Sequence, residues 1–410
     1  MIELSEAKEF VLRELVALAP EIVALDDALG CCTASDVVAR EQVPNFANSS
    51  MDGFTLRAVD TSSGSAQLRI VDSILAGQVS SMRLGPGEAM RIMTGAPLPE
   101  GADAVCKIED VTLEGTDFVI IPRHLDSGEC VRHPGDDVKV GQVLVSARSE
   151  LTPTALAVVA GQGMSSVAVH RRPVVGVLST GDELARSTDE LLQGQIRDLN
   201  RPLLLALVKS SGFRAVDLGV AADDYDEIVR RLSDAVERCD AVISTGGVSV
   251  GDVDHVKNVI SQLAEGRARS MQVAIKPAKP FAFGVVGPAK TPVFGLPGNP
   301  VSTRVSFELF VRPALRTLGG HRVIERLEVK AVLDIALLVP DDDKTHFVHV
   351  SAHIEEDGRV HVSSSARHKS HLMSAIVASN AIAILVPGGS YEVGESVRVI
   401  ILAADALAHT

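Results

Sequence analysis

Between Pro173 and Leu318, apolar runs short enough for buried strands alternate with longer stretches whose apolar residues recur at helical spacing. Residues 173–178 form a continuous apolar strand, 200–211 a helix, and 215–220 a strand. The helix expected over 223–239 carries Ile228, Leu232, Ala235 and Val236 on one side, and 241–243 follows as a strand. A helix over 254–263 presents Val256, Val259, Ile260 and Leu263; strand-like runs at 271–275, 281–286 and 292–294 precede one long helix from Val301 to Leu318. Such alternation predicts a doubly wound α/β domain, a mostly parallel sheet wrapped by helices.

The chain is longer than this domain. Its 410 residues, 46% of them hydrophobic, fill several cores. At the N-terminus, Phe10, Val11, Leu12, Leu15 and Leu18 share a helical stripe over 5–18, stopped by Pro20. Between Pro44 and Val140, β-rich runs such as 68–71 and 118–121 alternate with Gly and Pro turns, predicting a small β-rich domain. Residues 151–167 read as helical. Beyond Gly319-Gly320, strand-like runs at 327–335, 347–350, 381–386 and 396–402 in a turn-rich context predict a C-terminal β-barrel or sandwich.

A net charge of −14 repels a nucleic-acid backbone, and no long basic run offsets it. An anionic substrate must therefore meet a local group of lysines or a divalent cation held by acids. The five cysteines are odd in number and form no C-x-x-C or Cys/His cluster, which argues against a disulfide framework and a zinc site; Cys31 and Cys32 read as small buried residues. With no signal-like N-terminus and no apolar stretch near the roughly 20 residues of a spanning helix, no membrane partner is expected and the cytoplasm is the expected location.

In an open parallel sheet, ligands bind beyond the carboxyl ends of strands. Three unusual turns fall there: Ser179-Thr180-Gly181-Asp182-Glu183, the stretch from Ser244 to Asp254, and the stretch from Gly295 to Ser302. In the second turn, Gly246 and Gly247 let backbone approach a phosphate. Thr245 and Ser249 offer hydroxyl donors, and Asp252 and Asp254 carry carboxylates suited to Mg²⁺ or to orienting water. Equally, the glycines can make a tight turn and Asp254 can cap the next helix.

Lys276-Pro277-Ala278-Lys279-Pro280 supplies positive charge. Each lysine precedes a proline and is pushed toward polyproline geometry, where residues three apart return to the same side roughly 9 Å along the axis and can share one anion. In the β-rich region, the loops around Asp52 and Thr94 have the composition of a site lip; Asp137 lies in an acidic turn.

Taken in order, P-x-x-x-N-S-x-M-D-G-F, R-I-M-T-G-A-P-L-P, S-T-G-D-E-L, S-T-G-G-V-S-V-G-D-x-D, K-P-x-K-P and G-L-P-G-N-P-V-S resemble the MoeA-type molybdopterin molybdenumtransferases, a family that includes the E domain of gephyrin. The resemblance implies four parts: a helical linker domain (1–44 with 141–170), a β-rich domain (45–140), a molybdopterin-binding α/β domain (171–320) and a C-terminal β-barrel (321–410). It also implies a homodimer whose cleft joins the α/β domain of one subunit to the β-rich and C-terminal domains of its partner.

The implied reaction takes adenylylated molybdopterin and molybdate, with Mg²⁺ as cofactor, and releases AMP; the molybdopterin adenylyltransferase is an implied partner. Residue by residue, the resemblance maps Asp52, Thr94 and Asp137 to the lip contributed by the partner subunit. Glu183 and Asp254 become acidic functional positions that organise metal and water, and Asp252, read from the turn itself, is counted with them as a metal ligand. Lys276 and Lys279 become anion-binding lysines, Pro297 and Pro300 prolines of the site turn, and Ser370 a residue of the far wall. Two departures stand out: His349 where the family commonly carries arginine, and Leu199 where serine is usual. Nucleotidyl transfer to molybdopterin and a non-catalytic scaffold are the alternatives, the first disfavoured by the flanking domains at both ends.

Overall fold

The computed structural model describes residues 1–185, 188, 190–247, 255–363, 373–404 and 407. They form two compact units, one of Met1–Ser35, Ala147–Thr152 and Ser166–Thr410, the other of Asp36–Ser146 and Pro153–Ser165.

The first unit is built on the predicted alternation. Its strands and helices are β1 (Val174–Thr180), α1 (Asn200–Ser210), β2 (Arg214–Ala221), α2 (Tyr225–Arg238), β3 (Ala241–Thr245) and α3 (His255–Leu263). β4 (Ala268–Gln272), β5 (Pro280–Val286) and β6 (Thr291–Leu296) follow, then α4 (Pro300–Ser306), a π-helical turn (Phe307–Val311) and α5 (Arg312–Leu318). The strand order is β2-β1-β3-β6-β5-β4. The first four strands are parallel, and β5 and β4 add an antiparallel edge.

Neighbouring residues on one strand serve opposite faces. Ile243 joins Val175, Val177, Phe294 and α1 on one side, while Val242 joins Leu178, Val293, α2 and α3 on the other. A sheet buried on both faces explains why its central strands read as unbroken apolar runs. α2 shows the opposite logic: only Ile228, Leu232 and Ala235 are buried, and Asp224 caps the helix by accepting from the Glu227 N–H at 2.8 Å.

The core continues past the sheet into a C-terminal barrel of β7 (Glu328–Leu333), β8 (Thr345–Ile354), β9 (Val360–Ser363), β10 (Ala381–Leu385) and β11 (Ser396–Ile401). The ring β8-β9-β7-β11-β10 closes because β10 also pairs with β8, which removes the free strand edges. The sequence patterning had not identified β9, a short strand in which His361 breaks the apolar run. His349 of β8 is buried, 8% exposed, on the strand face of Phe347 rather than the face of Val350 and Ala352 that fills the barrel.

The second unit contains a six-stranded sheet in the order Ala104–Lys107, Gly53–Leu56, Glu88–Ile92, Ala66–Ile74, Phe118–Ile121, Thr112–Glu114. Period-two patterning sorts its side chains: Ala104 and Cys106 enter the cluster with Phe54 and Leu56, while Val105 enters the one with Met90 and Ile92.

Three local expectations change. The N-terminal helix is Leu4–Leu12, so Leu15 and Leu18 follow it in irregular chain, held by the Leu18 N–H donating to Leu318 O at 2.8 Å. The helix expected over 151–167 stops after Pro153–Ala160; Ser166–His170 is a strand that pairs with Pro20–Ala24. Val167 falls on the helical stripe of Leu156 and Val159, but Val169, two residues on, would lie on the opposite side of a helix; together the two valines fit a strand's alternation, and the available partner is used.

The polyproline geometry expected for the two lysines does not form. Ile275–Lys276 pairs with Thr345 and His346 of β8, Pro280 pairs with Gln272, and Ala278 between them takes φ +84°. The two lysines are therefore pinned to different sheets on either side of a turn.

At the join of the helical run and barrel, Glu308 is 3% exposed and bridged by Arg326, Nε to Oε2 at 2.9 Å, with Arg304 3.7 Å from Oε1. Removing that carboxylate strands partly buried guanidinium groups. Glu308→Ala is expected to cost about 3–5 kcal/mol of stability, read as a lowered urea midpoint for the larger unit; a loss under about 1 kcal/mol would show the pair to be energetically neutral.

Candidate functional site

The strand order brings the turns together. From β1 the chain passes outward to β2 and returns across β1 to β3, so the order reverses between β1 and β3 and a crevice opens beyond their carboxyl ends. A pocket of about 350 Å³ lies there, lined by residues that follow β1, β3 and β6 and by the start of α1. Its size suits a small-molecule ligand.

One side chain ties these segments. Asn200, at the first turn of α1 and 8% exposed, donates from Nδ2 to Thr245 Oγ1 at 2.9 Å and to Gly298 O at 2.7 Å. Thr245 in turn donates to Pro297 O at 3.2 Å, and Thr303 Oγ1 donates to the same carbonyl at 2.6 Å. Asn299 caps α4 by accepting from the Val301 and Ser302 N–H groups. The turns after β3 and β6 and the start of α1 thus share one hydrogen-bonded junction.

The glycines permit the close approach. Gly246 has φ +96°, and a Cβ there would fall 2.7 Å from Thr180 Oγ1 and collide with the Thr180 carbonyl. Gly247, at φ +62°, faces the Val256 side chain of α3, where a Cβ would fall 2.8 Å from Cγ2.

Polar groups are left for a ligand. Among the described residues, Asn200 Oδ1 and Ser179 Oγ are buried without a hydrogen-bond partner, and both residues line the pocket. Such atoms cost free energy unless something completes them. Glu183 lines the same pocket and is exposed. Leu184, Ile196 and Leu199 make part of the wall apolar; Leu199 stands at the N-cap of α1 and supplies no side-chain cap.

Of the residues expected to form a site, Glu183, Thr245, Gly246 and Pro300 meet at this pocket, and Pro297 reaches it through its carbonyl bond to Thr245. Gly247, Lys276 and Lys279 are not among its lining residues. Lys276 is half-exposed and ion-paired with Asp342 at 3.4 Å. Ser249, Asp252, Asp254 and Ser370 lie outside the described residues.

Asn200 was not expected at the site, and Ser179 was named only as part of the turn after β1, with no role of its own. An asparagine at a helix start and a serine at a strand end are ordinary locally, and only the sheet order shows that both face one crevice.

In the second unit, the loops around Asp52 and Thr94 are laced together. Gly95 N–H donates to Ser49 O at 2.8 Å, Ser49 N–H to Ala96 O at 3.0 Å and Leu98 N–H to Ala47 O at 3.0 Å. Thr94 donates from its N–H and its hydroxyl to Asp52 Oδ1, each at 2.7 Å. The backbone bond, then the hydroxyl bond, hold the Asp52 carboxyl below its usual range. A Cβ on Gly53 would collide with the Cys106 carbonyl, so the residue after Asp52 must be glycine for the strands to meet. Asp137 is exposed, its N–H donating to Val43 O at 2.9 Å.

The cysteines are free; Cys31 and Cys32 are buried, and burial raises the Cys32 thiol to about 12. Among the described residues, no group of three or more His, Cys, Asp or Glu is placed to hold a metal ion. The Glu183 carboxylate and the orphaned Asn200 and Ser179 atoms offer oxygen donors at the pocket. That chemistry fits a hard cation such as Mg²⁺.

Family models match nearly the whole chain: the MoeA N-terminal region, domains I and II, over residues 2–163; a probable molybdopterin binding domain over 176–317; and the MoeA C-terminal region, domain IV, over 338–402. The chain is 36% identical over 391 residues to the molybdopterin molybdenumtransferase of Bacillus subtilis (strain 168), covering 93% of this chain and 90% of that protein. It is 34% identical over 401 residues to the protein of that name from Haemophilus influenzae, covering 97% and 98%. The crystal structure of the molybdopterin biosynthesis moeA protein from Pyrococcus horikoshii OT3 superposes with a TM-score of 0.84 at 28% identity, covering 98% of this chain and all of that one.

Asn200→Ala is expected to reduce stability by about 1–3 kcal/mol, since Thr245 and Gly298 lose a buried donor. Faster amide exchange at Thr245 and Gly298 should accompany the loss; unchanged exchange at both would remove Asn200 from its place as the tie between the turns.

Proposed function

The chain belongs to the MoeA family of molybdopterin molybdenumtransferases, and from that premise we propose that it inserts molybdenum into molybdopterin in molybdenum cofactor biosynthesis. The pocket at the reversal point of the sheet carries the proposal, because buried polar atoms there await a ligand within a chain that matches the family from end to end.

The proposed substrates are adenylylated molybdopterin and molybdate. Cleavage of the pyrophosphate bond releases AMP, and molybdenum ends on the dithiolene sulfurs of the substrate. Gly246 and Gly247 keep the turn after β3 bare, so that phosphate can approach backbone. Thr245 and Asn200 keep that turn in place against Pro297 and Gly298. Lys276 and Lys279 attract the pyrophosphate or molybdate oxygens, which a chain of net charge −14 would otherwise repel.

Glu183, Asp252 and Asp254 are the proposed holders of Mg²⁺, and Glu183 and Asp254 also order water at the breaking bond. When bound, the cation neutralises charge that builds on the pyrophosphate as it breaks. Pro300 shapes the third turn.

A homodimer belongs to the same proposal, with Asp52, Thr94, Asp137 and Ser370 offered to the partner subunit. So does the division into four parts at about residues 44, 140, 170 and 320. The Asp52 carboxyl, fixed by two bonds from Thr94 that hold it below its usual range, is the acceptor offered there. Free, mostly buried thiols accord with a cytoplasmic location, and no helix among the described residues is long and apolar enough to cross a membrane.

The direct test supplies the protein with adenylylated molybdopterin, molybdate and Mg²⁺, then follows AMP release and activation of an apo-molybdoenzyme. AMP release with activation is expected; inactivity of folded protein beside an active control would favour the scaffold, and efficient AMP transfer from ATP to molybdopterin would favour nucleotidyl transfer. Lys276→Ala and Asp254→Ala should each slow AMP release by about 10- to 100-fold, the worth of one charge-assisted contact. Their unfolding temperatures should stay near that of the parent protein; a large loss of stability with normal turnover would make both residues structural.

A further inference from the structure

The lysine pair of the proposed anion site is not symmetric. Among the described residues, the Lys279 ammonium forms no hydrogen bond or ion pair, whereas Lys276 is held by a carboxylate of its own chain. That carboxylate, Asp342, sits in the acidic loop Pro340-Asp341-Asp342-Asp343-Lys344 that leads into β8. Its Oδ2 receives Lys276 Nζ at 3.4 Å and Lys344 Nζ at 3.1 Å, and its Oδ1 lies 2.9 Å from His346 Nε2. Backbone pairing delivers the cluster, since Lys276 and His346 are register partners where Ile275–Lys276 runs beside β8.

Two chain segments therefore aim three nitrogen groups at one pair of carboxylate oxygens. This is the donor geometry an oxyanion needs, already filled from within. The His346 hydrogen bond first, then those of Lys344 and Lys276, hold the Asp342 carboxyl far below its usual range, so it stays ionised. Its grip on Lys276 is weak, because that side chain is 52% exposed and the contact is long. A doubly charged oxyanion forming a shorter charge-assisted bond would displace it. Asp341 and Asp343, both exposed in the same loop, add potential of the same sign as Asp342.

We propose that Asp342 is a built-in competitor for the Lys276 ammonium, holding the place of an anionic substrate group and setting how tightly that group binds. The inference rests on Lys276 being an anion-binding lysine. The displacing group is an oxyanion dianion, either molybdate or the pyrophosphate of the adenylylated substrate, and the KM of each tells them apart.

Asp342→Asn keeps the shape and removes the charge. Expected is a fall of about two- to fivefold in the KM for at least one of the two substrates, the range of an exposed ion pair, with a smaller change in kcat. In a Lys276→Gln background the same substitution should change neither KM. Asp342→Glu, which keeps the charge, should leave both KM values within about twofold. The proposal is overturned by an unchanged or raised KM for both substrates in Asp342→Asn, by an equal fall in the Lys276→Gln background, or by an equal fall in Asp342→Glu, which would trace the effect to a loosened loop. Lys276→Gln alone separates the two levels: if it leaves both KM values unchanged, the anion role of Lys276 fails and the competitor with it. If it raises KM while Asp342→Asn is silent, only the competitor fails.

Discussion

Everything at the pocket depends on the turns after β3 and β6 and the start of α1 being held at one spacing, and the Asn200 amide sets it. Its two N–H bonds, to Thr245 Oγ1 and Gly298 O, leave its own oxygen without a partner among the described residues. A side chain fixed at one end and unsatisfied at the other is a structural tie with an acceptor left open. Burial strengthens the tie and makes the open acceptor costly, since neither end can exchange freely with water. The Thr245 hydroxyl, committed to Pro297, complements it by locking the turn after β3 to the turn after β6.

Charge is managed by the same economy of position. An acidic chain recognises an anion only where cations converge, and the backbone decides where that is. Pairing Ile275–Lys276 with β8 aligns Lys276 with His346, while Ala278 turns Lys279 away toward another sheet. Cations brought together without a ligand repel one another, and Asp342 relieves that repulsion. In the other unit, Asp52 shows the reverse arrangement, an anion kept ionised by two bonds from Thr94 rather than by a cation. Asp52 and Lys276 thus each have a local partner that holds the charged group in a defined state.

Much of the fold was legible because period decides it. Ile228, Leu232 and Ala235 could bury together only on a helix, and the apolar run ending at Leu178 could hide both faces only inside a parallel sheet. Legibility failed where one pattern served two structures. Val167 suits the helical stripe of Leu156 and Val159 as well as a strand, and pairing with Pro20–Ala24 settles it. Lys276 and Lys279 suit polyproline spacing, but their neighbours pair with different sheets.

The amino-acid sequence by itself determined the alternation of strand and helix, the glycine turns, the order of the motifs and so the family. These are local properties of residue type and spacing, and each is stated within a few residues. Tertiary structure alone decided that Asn200 and Ser179 face the turn after β3, that Glu308 is buried among arginines, and that Asp342 meets Lys276 across 66 positions. Sheet order and strand register bring such groups together, and both follow from summing many distant contacts that no short stretch of sequence contains.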